Sequence, residues 1–81
     1  MRLPRDLSGD ELIRRLAKLG YTPMRQSGSH VRLTATDHLG EHHVTIPRHD
    51  PLRIGTLAAI IGAIAERQGV ARDELLRRLL A

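Results

Sequence analysis

The sequence predicts an α+β domain with the order α-β-β-β-α. Three antiparallel strands form a meander, helices cover one face of the sheet, and an extra short helix follows at the C-terminus. Three observations carry this. Residues 31–34 and 44–46 alternate apolar and polar side chains, the period of a half-buried strand. Gly28-Ser29 and Asp37-His38-Leu39-Gly40 interrupt that pattern with residues that favour tight turns. Apolar residues at helical spacing flank the strand region on both sides. The chain of 81 residues has material for one small core, so a single domain over 1–81 is expected.

Residues 1–7 read as a short extended lead in which Leu3 and Leu7 pack. Ser8-Gly9-Asp10-Glu11 reads as a capping box: Ser8 accepts from the backbone at Glu11, and Glu11 reaches back. Leu12, Ile13, Leu16, Ala17 and Leu19 form the apolar side of the first helix. Glu11, Arg14, Arg15 and Lys18 form a charged stripe that reads as a solvated face. Gly20 stops this helix. Tyr21–Gln26 is the first strand, and Pro23 suits it to an edge. His30–Thr36 and Glu41–Ile46 are the second and third strands, and Pro47 ends the last. An irregular loop then runs to Ile54. The next helix opens at Gly55-Thr56, with Thr56 as its expected N-cap. Leu57, Ile60, Ile61 and Ile64 mark its apolar side, alanines fill most of the rest, and Gly69 ends it. A helix this apolar is expected to be buried on more than one side. The last helix, about Arg72–Leu80, has Asp73 as its best capping residue.

Composition narrows the chemistry. Tyr21 is the only aromatic residue, so the usual platform for stacking single-stranded bases is missing. There is no cysteine, which removes disulfides, thiol catalysis and thiolate metal sites. No apolar run approaches the roughly 20 residues that span a bilayer, and the first residues lack the apolar region of a signal peptide. A cytoplasmic protein without a membrane role is expected. The net charge is +4, and 12 of the 13 basic residues are Arg, whose fork matches phosphate geometry. Such a balance favours polyanionic partners, nucleic acid first.

The stretch Arg25 to Leu33 concentrates the functional signal. With Val31 and Leu33 facing the core, His30, Arg32 and Thr34 share the open face. A lone imidazole beside guanidinium groups on a sheet surface suits the handling of a phosphodiester. The other histidines carry less. His42 and His43 are strand neighbours and point to opposite faces, so they cannot hold one ion together. His43 would share the open face with His30, and His42 would lie under the helices or near the strand end. The nine carboxylates show no paired spacing for Mg²⁺. No metal or other cofactor is expected.

Several motifs together resemble a known family. Ser8-Gly9-Asp10-Glu11-Leu12 precedes the first helix and Leu19-Gly20-Tyr21 follows it. Arg25-Gln26-Ser27-Gly28-Ser29-His30, Ile46-Pro47-Arg48-His49 and Gly55-Thr56-Leu57 with Ile60 complete the set. In this combination and spacing the chain resembles the HicA toxins, small mRNA interferases paired with HicB antitoxins. The resemblance implies a double-stranded-RNA-binding-domain-like fold. It also implies the toxin of a type II toxin–antitoxin system, inhibiting translation and growth and neutralised by a HicB-type antitoxin. The family's catalytic histidine follows Gly-Ser, which places it at His30.

On that basis His30 is the expected base of a metal-independent endoribonuclease acting on mRNA. Arg25 and Arg32 are candidate phosphate clamps. The Gly28-Ser29 backbone lets RNA approach closely. Arg48 and His49 are further candidates for RNA contact. The leaving-group acid is open among His49, His43 and Tyr21. A non-catalytic RNA-binding module using the same basic face is the alternative, and His30 is the feature that mere binding does not require.

Overall fold

The computed structural model describes residues 2–81. A helix α1 (Gly9–Leu16) runs into a 3₁₀ turn (Ala17–Leu19). Strands β1 (Thr22–Ser27), β2 (His30–Asp37) and β3 (Gly40–Pro47) follow, then α2 (Ile54–Gln68) and α3 (Arg72–Leu80). The strands form one antiparallel sheet in the order β1-β2-β3, so β2 is central. Helices α1 and α2 lie against one face of the sheet, and α3 packs on both helices. This is the α+β, α-β-β-β-α arrangement of the double-stranded-RNA-binding-domain type, with the extra helix added.

The start of α1 follows the capping signal in part. Ser8 Oγ accepts the Glu11 N–H at 3.0 Å. Glu11 does not reach back to Ser8: its carboxylate pairs with Arg14 and, at 2.9 Å, with Arg15. The basic stripe also does more than face solvent. Arg15 donates to the Leu79 carbonyl at 2.9 Å and Lys18 to the Ala81 carbonyl at 2.7 Å. Both cations therefore meet the C-terminal carbonyls of α3, where the helix dipole favours positive charge.

The N-cap of helix α2 falls three residues before the expected Thr56. Its N-cap is Arg53, with no side-chain hydrogen bond, and the Leu57 N–H bonds the Arg53 carbonyl at 2.9 Å. The cause is tertiary. Leu52 is buried in the core and its N–H bonds the Leu7 carbonyl at 2.8 Å, so the chain is anchored immediately before the helix. Helix α3 is likewise preceded by Ala71 rather than capped by Asp73, which lies in its first turn. Leu57, Ile60, Ile61, Ile64 and Ala65 of α2 are buried between sheet and α3, while Ala59 and Ala63 remain exposed.

Val31 and Leu33 of β2 and Val44 and Ile46 of β3 enter the core, as alternation predicts. Strand β1 is an edge with every residue exposed, and a bulge at Met24 breaks its register between Pro23 and Arg25. Tyr21 is 1% exposed and lies in the core cluster. Its hydroxyl meets His42 Nδ1 at 2.5 Å, and the rings stack edge to face at 5.8 Å. Beside them Arg67 of α2 binds the Asp37 carboxylate at 3.0 Å and the Gly40 carbonyl at 2.9 Å, fastening the β2–β3 turn to the helix.

This cluster gives the fold a pH dependence. Burial, with help from the Arg67 guanidinium, holds His42 below its ordinary value, while Asp37 opposes the shift. Below about pH 6.5 an unfolded chain therefore takes up a proton at position 42 that the folded protein does not. The stabilisation from a neutral His42 is present above that pH and is lost as pH falls through the lower folded value. Circular dichroism should thus record a lower Tm at about pH 5.5 than at about pH 7.5, with a shallower slope in His42→Gln. A Tm that holds level or rises on acidification would contradict this account.

Candidate nucleic-acid interface

The open face of the sheet is built in rows by the strand register. At one end, Ser27, His30 and Pro47 sit opposite one another across the three strands. In the next row Arg25 faces Arg32, which faces Thr45. Side chains directly opposite share a face about 5 Å apart. Two guanidinium groups thus stand side by side, about 7 Å along the strand from His30. The next row holds Thr34 and His43, whose Oγ1 and Nδ1 lie 2.8 Å apart. His30, Arg25 and Arg32 are all exposed.

The end of the sheet that carries His30 is fixed from three directions. Gly28 takes φ 58° in the β1–β2 turn, a left-handed conformation that glycine adopts without strain. Gln26 Nε2 donates to the Gly28 carbonyl at 3.0 Å and braces the turn. The Arg48 N–H donates to the Ser29 carbonyl at 2.6 Å, extending the β2–β3 pairing past Pro47. The Gly9 N–H donates to the His49 carbonyl at 2.8 Å, so the start of α1 holds the same segment from the other side. Gly9 is packed so closely that a Cβ there would lie 2.0 Å from the Pro47 carbonyl oxygen.

The expected RNA-contacting residues fall into two groups. Gly28, Ser29 and the Arg48–His49 backbone surround His30, with Arg25 and Arg32 one row on. The Arg48 side chain, by contrast, forks onto Asp10, with Nε to Oδ1 at 2.7 Å and Nη2 to Oδ2 at 3.2 Å. The Arg48 guanidinium draws the Asp10 carboxyl below its usual range, and Asp10 raises Arg48 in turn. Tyr21, one of the open choices for a proton donor, is removed from that role: it lies under the sheet, bonded to His42. Burial pushes its hydroxyl above the ordinary value. His42 and His43 leave opposite faces of β3, one bound to Tyr21 and the other to Thr34. Among the described residues, no three His, Cys, Asp or Glu side chains converge as a metal site.

The family model described as HicA toxin of bacterial toxin–antitoxin matches residues 9–67, well over half of the chain. The chain belongs to the HicA toxin family. It is accordingly the toxin of a toxin–antitoxin system and has a cognate antitoxin as its implied partner. The HicA match begins at Gly9 and ends at Arg67, so it spans the sheet, α1 and nearly all of α2, while α3 lies outside it. No curated protein and no solved structure gives a match to the chain. No single helix among the described residues is long and apolar enough to cross a membrane.

Two features of this HicA surface lie beyond the sequence reading. Asp10 was not separable from an ordinary first-turn acid, because its partner Arg48 is 38 residues away. The Met24 bulge leaves no signal except the neighbouring Pro23, yet it places Met24, 68% exposed, beside Arg25.

Proposed function

We propose that this HicA toxin is a metal-independent endoribonuclease acting on mRNA, with His30 as the base. The observation that carries this reading is the adjacency of the exposed His30 to the Arg25–Arg32 pair on an open sheet face. RNA supplies its own nucleophile. His30 takes the proton from a ribose 2′-hydroxyl, the oxygen attacks the neighbouring phosphorus, and the P–O5′ bond breaks. The products are a 2′,3′-cyclic phosphate and a 5′-hydroxyl, the latter taking up a proton as it leaves. Arg25 and Arg32 stand where negative charge grows on the phosphoryl oxygens. Gly28 and Ser29 present backbone rather than bulk beside the scissile bond. Arg48 is held by an exposed ion pair, a kind worth little in water, so a phosphate can compete with Asp10 for it. His49 follows it on the segment that borders His30. A HicB-type antitoxin would silence the enzyme by covering this basic face, and an acidic surface suits that role.

The test uses the purified protein on a single-stranded RNA and on the same sequence with deoxyribose throughout, in excess EDTA. Cleavage of the RNA alone, leaving cyclic phosphate ends, is the expected result. Cutting of both strands would remove the 2′-hydroxyl mechanism. Retention of both strands without cutting would favour an RNA-binding module on the same face.

A further inference from the structure

Beyond the row of arginines, the open face carries a shallow hollow of about 230 Å³ lined by Met24, Arg25, Arg32, Thr34, Glu41 and His43. It is smaller than the cavities that enclose drug-sized molecules and opens onto the sheet surface, dimensions that suit one planar ring. Its centre lies farther along β2 than Arg32: Thr34 is about 13 Å from His30 at the rise of a strand. A strand of RNA with its phosphate at His30 would pass a neighbouring nucleotide over this spot.

Glu41 is the informative residue. It is exposed and forms no ion pair among the described residues. A free carboxylate on a face that binds polyanion repels phosphate and weakens binding. It is useful there only against a donor, and RNA offers the ribose 2′-hydroxyl, the ring N–H of guanine and uracil, and the exocyclic amines of adenine, cytosine and guanine. A carboxylate accepts freely from an exocyclic amine, whereas the one ring N–H of uracil lies between two carbonyl oxygens that repel a carboxylate. The other residues of the hollow supply the faces of the ring. Met24, thrown outward by the bulge, offers a polarisable apolar surface in a chain whose one aromatic residue is buried. Thr34 fixes the His43 imidazole through Nδ1, and imidazole and guanidinium planes both stack on bases.

We propose that this hollow is a base-reading subsite, in which Glu41 selects an unpaired nucleobase carrying an exocyclic amine over uracil. The proposal rests on the ribonuclease reading and adds a substrate preference to it. The subsite holds the base without taking part in bond breaking, so binding measures it directly.

The probe is a set of fluorescein-labelled oligouridylates, 2′-O-methylated throughout so that they cannot be cut. One central residue is left as U or replaced with A, C or G. Fluorescence anisotropy at fixed low salt should show at least one amine-bearing base binding the wild type about fivefold more tightly than all-U. Glu41→Ala should lose most of that preference, and Met24→Ala should weaken binding while keeping the order of bases. Equal affinity for all four oligonucleotides in the wild type, or an unchanged preference in Glu41→Ala, would overturn the subsite. If either result accompanies cleavage of natural RNA that disappears in His30→Ala, the subsite alone fails. If the wild type neither binds nor cuts RNA, both readings fail together.

Discussion

His30→Ala is expected to lower RNA cleavage by about 100-fold or more while leaving the fold intact. The size follows from the role. A positioned base contributes about 10²–10⁴-fold, and neither histidine of β3 is placed to substitute for this one. His43 lies two rows away and is tied to Thr34, and His42 is on the opposite face with Tyr21. The small structural cost follows from exposure: His30 is exposed, and substitutions at such positions generally stay within about 0.5 kcal/mol. His30→Gln keeps most of the bulk and hydrogen-bonding capacity without accepting the proton, so it should be as inactive as alanine. Arg25→Ala and Arg32→Ala should each cost less, because the remaining guanidinium still faces the phosphate. Induced expression should arrest growth with the wild type and not with either His30 variant, each shown folded by circular dichroism. Equal cleavage by wild type and His30→Ala would mean that another group takes the proton.

The parts of this molecule that were legible in the sequence are those set by neighbours along the chain. Val31 and Leu33 announce which face of β2 is inward, and Gly28 and Gly40 announce where the strands reverse. Given those, the placement of His30, Arg25 and Arg32 on one face needs only the pleat of a strand. What was not legible depends on partners far away in sequence. Thr56 is the natural local cap, yet α2 starts at Ile54 because Leu52 is held by Leu7. Arg15 and Lys18 look like solvent-facing charges until α3 brings its terminal carbonyls to them, more than 60 residues on. The Glu41 hollow shows the same limit. Its six residues come from three strands, and the bulge that turns Met24 toward Arg25 is a matter of cross-strand register rather than of any motif.

Gly9→Ala tests how the fold delivers the site, and its expected effect falls first on stability. The Cβ would meet the Pro47 carbonyl oxygen at 2.0 Å, its carbon at 2.9 Å and the Arg48 Cα at 3.0 Å. All three are backbone atoms, so no side chain can rotate aside. Either α1 retreats or the Pro47–His49 segment does. Retreat breaks the Gly9–His49 backbone hydrogen bond and strains the Asp10–Arg48 fork one residue on. Overpacking of this kind costs about 1–3 kcal/mol, and a backbone hydrogen bond adds about 1 kcal/mol. For a domain of this size the loss corresponds to a fall in Tm of roughly 10–20 °C. Activity should fall as well, even at temperatures where the variant remains folded. The displaced segment is the one whose Arg48 N–H holds the Ser29 carbonyl, immediately before His30. Asp10→Ala supplies the contrast. It removes an exposed ion pair and leaves the backbone contact alone, so its Tm should stay within a few degrees of wild type. Thermal unfolding of both variants beside the wild type decides the matter. A Gly9→Ala protein as stable as wild type would mean that α1 does not seat on the end of β3, and the closure of the site around His30 would have to be explained another way.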